Sequence, residues 1–133
     1  MISRINHIGI AVESLDRHIG FYRDILKLEY EGIEEVPDQL VRVAMFKVGE
    51  VRIELLEPTN PESAIAKFLE KKGEGMHHIA YETDHIQNEI SRLHKAEIRL
   101  IDENPRPGAY NTQIAFIHPR SSGKVLTEIC QHK

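Results

Sequence analysis

The chain contains one cysteine, Cys130, and no tryptophan. A single thiol cannot close an internal disulfide, so disulfide-stapled folds are excluded and a reducing, cytoplasmic location is expected. Long apolar runs are also missing. The N-terminal segment is broken by Arg4, Glu13 and Asp16 before an apolar stretch builds up, so neither a signal peptide nor a membrane anchor is expected. Basic charge is not in excess: Lys plus Arg is 17 against 21 for Asp plus Glu, a formal net charge of -4. The overall field therefore disfavours nucleic acid and anionic lipid as partners. With 41% hydrophobic, 29% charged and 6% aromatic residues, the chain is neither disordered nor collagen-like. Its 133 residues allow one compact domain, or two small modules sharing a core. A chain of this size buries roughly two-thirds of its unfolded surface. What is abundant is histidine, with eight in so short a chain.

The histidines expose an internal repeat. His7-Ile8-Gly9-Ile10-Ala11 matches His78-Ile79-Ala80-Tyr81-Glu82, a shift of 71 residues. The same shift pairs Leu15 with Ile86, Val43 with Ile114, Ala44 with Ala115 and Met45 with Phe116. Gly49-x-Val51-x-x-Glu54 then matches Gly123-x-Val125-x-x-Glu128 at a shift of 74, which places three extra residues within 118–122. Each half also has one element order. Residues 4–12 are β-branched and short enough for a strand, and Ser14 can cap a helix over 15–28, whose Leu15, Ile19, Tyr22, Ile25 and Leu26 follow helical spacing. Strands are expected at 29–36, 40–48 and 51–57, with Pro37-Asp38 and Gly49-Glu50 turning between them. A linker and a short helix over 62–72 lead to the second half. That half has a strand over 76–83, a helix over 85–95, a short strand over 98–101 and longer ones over 112–118 and 124–131. The proline-rich stretch 104–110 is expected to be irregular. The unit is β-α-β-β-β, used twice.

Strand parity sorts the side chains, because alternate residues point to opposite faces. Ile8, Ile10 and Val12 oppose His7, Gly9 and Ala11, and Val51, Ile53 and Leu55 oppose Arg52, Glu54 and Leu56. In the second half, Ile79 and Tyr81 oppose His78 and Ala80, while Val125, Thr127 and Ile129 oppose Leu126, Glu128 and Cys130. If the apolar faces pack on helices, the other faces carry His7, Glu54, His78 and Glu128. A lone strand histidine or glutamate is ordinarily unremarkable, but four at corresponding places in a repeat point to a site. Two imidazoles and two carboxylates suit Co, Zn, Ni, Mn or Fe(II) with positions left for substrate, and the set lacks the thiolates of a structural zinc site.

INHIGIAVESLDRHIGFYRD, VRIELLEPTNPESAIAKFLEKKGEGMHHIAYE, and ENPRPGA followed by IAFIHPRSSGKVLTEI carry a resemblance covering essentially the whole chain. The sequence resembles the vicinal oxygen chelate superfamily of glyoxalase I, extradiol dioxygenases and methylmalonyl-CoA epimerases, and is most similar to the epimerase branch. The resemblance implies an α+β fold in which two tandem βαβββ modules form a cupped mixed sheet. It implies one domain over 1–133: a first module to about 57, a linker and short helix over 58–75, and a second module from 76. It further implies a homodimer, a CoA thioester substrate, and a divalent metal (Co, Zn, Ni or Mn) held by His7, Glu54, His78 and Glu128. His78 rather than His77 is the ligand of the adjacent pair. The implied reaction is inversion at C2 of methylmalonyl-CoA through a metal-stabilised enediolate. Glu128 matches a proton-transfer glutamate of the family.

The chain departs from the family at Val43, where some epimerases place a second proton-transfer glutamate; valine cannot move a proton. One reading is that the catalytic pair is Glu128 and Glu54, each metal ligand serving one face of C2, as two ligand glutamates do in glyoxalase I. Two alternatives stand beside this reading. One is a glyoxalase I type lactoylglutathione lyase acting on a hemithioacetal, against which the ending at 118–123 counts. The other is a metal-free binding protein of the same fold, which would have no need of the four ligands. Lys67, Lys71, Lys72, Arg106 and Arg120 are candidates for CoA phosphates, each more simply read as a surface charge. Cys130 reads as a buried small apolar residue. His18, His85, His94 and His132 read as surface residues, His118 as a possible pocket residue, and Glu29, Glu31, Glu34 and Glu35 as a solvated strand edge.

Overall fold

A computed structural model describes residues Met1–Lys133. The elements run β1 (Ile2–Ala11), α1 (Leu15–Gly20), β2 (Glu29–Val36), β3 (Val41–Val48), β4 (Val51–Pro58), α2 (Ala64–Lys72), β5 (Gly75–Thr83), α3 (Ile86–Lys95), β6 (Arg106–Gly108), β7 (Thr112–Ile117) and β8 (Thr127–His132). This is an α+β fold with mixed strand pairing. The β-α-β-β-β order occurs twice, with α2 between the copies. No helix is long and apolar enough to cross a membrane. The chain forms two compact units, one of His7–His77 and one of Met1–Asn6 with His78–Lys133, so β1 contributes to both.

In the unit of His7–His77 the strands lie in the order β2-β3-β4-β1. β1 runs parallel to β4, and β3 runs antiparallel to β2 and β4. Leu15 and Ile19, four residues apart on one side of α1, close over Val12, Ala44, Phe46 and Leu55. Phe46 is fully buried, with the rings of Tyr22 and Tyr30 at 5.5 and 5.2 Å. Burying a side chain of this kind contributes about 1.5–3 kcal/mol.

The helix expected over 15–28 is shorter. α1 ends at Gly20, and a single π-turn over Phe21–Ile25 follows, closed by the Leu26 N–H donating to the Phe21 carbonyl at 2.9 Å. The wider turn rotates later side chains off the apolar face, leaving Ile25 71% and Leu26 49% exposed. Ser14 sits at the N-cap without a side-chain bond, and Glu57 of β4 instead accepts the Leu15 N–H at 3.0 Å. Leu40 does not open β3, because its φ of 56° takes it out of the extended region. α2 begins at Ala64 because Ser63 caps it, its hydroxyl accepting the Ile65 N–H at 3.1 Å.

In the second unit the order is β1-β5-β8-β7-β6, with β5 parallel to β8 and β7 antiparallel to both its neighbours. Ile86 and Ile90 of α3 pack on Ala115, Ile117 and Ile129. His85 is the N-cap of α3, its Nδ1 accepting the Asn88 N–H at 3.4 Å. Two expectations fail in this unit. Residues 98–101 do not form a strand, and only Leu100 makes a bridge, to Ile117. The strand beside β7 is β6, within the stretch expected to be irregular. Pro107 lacks a donor, but an edge strand needs ladder bonds on one side only, so proline is tolerated there. β8 starts at Thr127 rather than 124, since a 3-10 turn over Pro119–Ser121 and the left-handed Lys124 keep the chain out of the sheet; Val125 is therefore exposed.

The N-terminal half of β1 is fastened by Glu82 of β5. Its carboxylate accepts from Asn6 Nδ2 at 2.8 Å and Arg4 Nη2 at 3.2 Å, with His132 Nε2 at 3.6 Å. His132, expected on the surface, is thus half-buried in a polar cluster. Burial alone pushes the Glu82 carboxyl upward, but the Asn6 and Arg4 hydrogen bonds and the Arg4 and His132 charges outweigh it and hold it below its usual value of 4.5. A depressed carboxyl stabilises the fold above its unfolded-state value, and that contribution is lost as pH falls through the folded value. Glu82→Gln is expected to cost about 1.5–3 kcal/mol at pH 7, the range for hydrogen bonds to a charged group. Urea denaturation should show this difference shrinking as pH falls below 4.5.

Candidate metal and proton-transfer site

Strand register places the candidate ligands. Gly9 of β1 is the partner of Glu54 on β4, and His7 is the partner of Arg52. His7, Gly9, Arg52 and Glu54 therefore share one face of their unit. His7 Nδ1 lies 3.4 Å from Glu54 Oε2, with the residues 6% and 4% exposed. The second unit repeats the arrangement. Ala80 of β5 is the partner of Glu128 on β8, His78 is two residues along the same face, and His78 Nε2 lies 3.2 Å from Glu128 Oε1. His78 and Glu128 are 5% and 3% exposed. Each unit thus holds one buried imidazole–carboxylate pair at the place the repeat assigns.

The surroundings of the second pair are ordered. Phe116 of β7 is the partner of Glu128, and its ring meets that of His78 edge to face, with centroids 5.5 Å apart. The Arg106 guanidinium lies 5.5 Å from the Phe116 centroid. Asp102 ties both down, Oδ1 accepting from Arg106 Nε at 3.0 Å and Oδ2 from the Phe116 N–H at 2.9 Å. Sequence reasoning missed Asp102 and Phe116; parity within β7 was the available signal for Phe116. Cys130 is fully buried against Ala80, Ile114 and Phe116, as expected.

Around the first pair, Met45 is the partner of Glu54, Val43 of Leu56, and Glu34 of Val43. Val43 is buried, an apolar residue among them. Glu31 is not part of a solvated edge. It occupies a bulge between Tyr30 and Gly32, and its carboxylate meets Arg52 Nε at 2.6 Å, with both side chains 16% exposed. Gly32, with φ of 96°, allows the bulge and was the sequence signal for it.

The remaining candidates lie elsewhere. The His77 ring packs edge to face on Phe68 of α2 at 4.9 Å, and Lys72 lies over the same Phe68 ring at 5.7 Å. Lys67 is 3.9 Å from Glu62, while Lys71 and Arg120 are exposed. His118 Nδ1 accepts the Arg120 N–H at 3.0 Å, which caps the 3-10 turn. His18 lies 2.8 Å from Glu74 and the exposed His94 lies 3.9 Å from Glu103. The Glu13 N–H and His18 together hold the Glu74 carboxyl below its usual range.

The donors fit a divalent ion. They are buried imidazole nitrogens and carboxylate oxygens without thiolate, one couple in each unit.

Comparison with known proteins finds relatives over the length of the chain. The glyoxalase/bleomycin resistance protein/dioxygenase superfamily matches residues 6–116. An uncharacterised protein of Bacillus subtilis is 42% identical over 132 residues, covering 99% of this chain and 94% of that protein. The ethylmalonyl-CoA/methylmalonyl-CoA epimerase of Cereibacter sphaeroides is 37% identical, covering 98% of this chain and 99% of its own. A solved methylmalonyl-CoA epimerase in complex with methylmalonyl-CoA and ammonium is 37% identical and superposes with a TM-score of 0.95, covering 99% of this chain and 96% of that one.

Gly108 keeps β6 close to β7. A Cβ there would lie 2.5 Å from Ile114 Cγ2 and 2.7 Å from Thr112 Oγ1. Ile114 and Thr112 are both buried, so neither gives way cheaply. Gly108→Ala is expected to lower stability by about 1–3 kcal/mol through overpacking, read by urea denaturation.

Proposed function

The chain belongs to the glyoxalase/bleomycin resistance protein/dioxygenase superfamily, and from that premise we propose that it is a cytoplasmic, metal-dependent epimerase inverting C2 of methylmalonyl-CoA. The observation that carries this reading is the pair of buried imidazole–carboxylate couples, His7 with Glu54 and His78 with Glu128. The full-length likeness to proteins named for this epimerisation supports it. In this reading His7, Glu54, His78 and Glu128 hold one divalent ion, and the protein works as a homodimer.

C2 of the substrate lies between a thioester and a carboxylate, so its proton is weakly acidic. A bound divalent ion supplies Lewis-acid stabilisation of the negative charge that develops on the oxygens flanking C2. The protein residues move the proton. Glu128 takes it from one face, leaving a planar enolate, and Glu54 delivers a proton to the opposite face. Microscopic reversibility exchanges these roles for the other epimer. Val43 takes no part, since an alkyl side chain holds no proton. Burial of both glutamates keeps bulk water off C2, so a proton reaches the carbon only from a carboxyl that has itself exchanged with solvent.

The test is proton exchange. Protein supplied with Co(II) and methylmalonyl-CoA in D2O is followed by NMR for loss of the C2 proton and for interconversion of the epimers. We expect both to be fast and metal-dependent, with Glu128→Ala reducing both by about 100- to 10,000-fold, the usual share of a positioned acid–base group. Glu54→Gln should retain exchange and lose inversion. Absence of exchange in the wild type would overturn the reading, and turnover of a hemithioacetal would then place the chain among glyoxalase I type lyases.

A further inference from the structure

An epimerase for a malonyl-type thioester must hold a substrate with two anionic ends: the carboxylate beside C2, and the CoA phosphates at the far end of the pantetheine arm. His78 and Glu128 mark the reacting end. Arg106 is an arginine that the second unit places on their face. Register shows this without ambiguity, since Arg106 is the partner of Ile114, Ile114 of Cys130, and Phe116 of Glu128. Partnered residues point to the same side of a sheet.

Arg106 is also pre-set. Its Nε–H is engaged by Asp102 at 3.0 Å and its guanidinium lies over Phe116, whose ring meets His78. Asp102 is itself fastened to the Phe116 backbone at 2.9 Å. The guanidinium plane is thus fixed relative to the ring that orients His78, while the side chain retains 33% exposure. A planar fork with five donors matches a carboxylate in a way that an ammonium does not. The Asp102 bond and the ring beneath it set the direction of that fork before a ligand arrives, so less side-chain entropy remains to be lost on binding.

We propose that Arg106 recognises the free carboxylate of the acyl group and so selects malonyl-type thioesters over simple acyl-CoA. This rests on the epimerase reading and adds a specificity residue to it. The equivalent position in the first unit carries Glu34, the partner of Val43, so the two units present opposite charges at one register position. At this position the Arg106 side is the one suited to bind an anion; Arg52, on the ligand face of the first unit, is paired with Glu31. CoA phosphates are the other anionic source. They are distinguished from the carboxylate by ligands that share the CoA part and differ only in the acyl group.

The experiment measures binding of methylmalonyl-CoA, propionyl-CoA and CoA by displacement titration to the metal-supplied wild type, Arg106→Lys and Arg106→Ala. Thermal unfolding of each variant confirms that it is folded. The wild type should prefer methylmalonyl-CoA to propionyl-CoA. Arg106→Ala should weaken methylmalonyl-CoA by about 30-fold or more, in line with truncating one partner of a buried charge pair. Propionyl-CoA and CoA should stay within about twofold, and Arg106→Lys should fall between, keeping the charge and losing the fork. Equal weakening of all three ligands would assign Arg106 to the phosphates or to structure and overturn the proposal, as would unchanged methylmalonyl-CoA binding. A wild type that binds none of the three would instead overturn the epimerase reading on which the proposal stands.

Discussion

Burying Glu54 and Glu128, 4% and 3% exposed, is the constraint on which the rest of the structure depends. A carboxylate taken out of water is costly unless it is paired or coordinates a cation. Each has an imidazole nitrogen within 3.4 Å or less, His7 for one and His78 for the other. Much of the surrounding architecture positions these two couples. Parallel pairing of β1 with β4 and of β5 with β8 sets each histidine strand beside its glutamate strand. α1 and α3 cover the opposite strand faces with Leu15, Ile19, Ile86 and Ile90, which leaves the polar faces to their own partners. A buried donor set of this composition is better explained by a cation than by stability, because apolar residues of similar volume would hold the strands at lower cost.

The two units have kept the ligand couple and diverged around it. Beside Glu128, Phe116 packs on His78 and carries Arg106 above it. Beside Glu54 the corresponding residue is Met45, and the edge strand bulges so that Glu31 reaches Arg52. Each unit holds a copy of the ligand pair, and on the ligand face the ring with an arginine over it stands beside Glu128.

The β-α-β-β-β order and the ligand faces were legible in the sequence for physical reasons. A shift of 71 residues aligned His7 with His78, and period-two alternation put Glu54 and Glu128 opposite the apolar residues of β4 and β8. What was not legible depends on backbone geometry that side-chain patterns do not encode. The π-turn at Phe21–Ile25 keeps a helical apolar pattern while rotating Ile25 and Leu26 outward. β6 is three residues long, flanked and interrupted by proline, and exists only because β7 offers an edge. Asp102 lies in a loop, where no periodicity shows that its two oxygens reach Arg106 and the Phe116 N–H. The Glu31 bulge was signalled by Gly32 alone, among glutamates that otherwise read as a solvated edge.

The central claim is that the two buried couples serve one ion. Crystals of protein supplied with Co(II), measured on both sides of the cobalt absorption edge, test it most directly. The account requires a single anomalous peak per chain, with His7, Glu54, His78 and Glu128 all within about 2.0–2.2 Å, the distance range for nitrogen and oxygen ligands of such ions. A peak at some other set of residues, separate ions at the two couples, or no peak at full cobalt supply would contradict it.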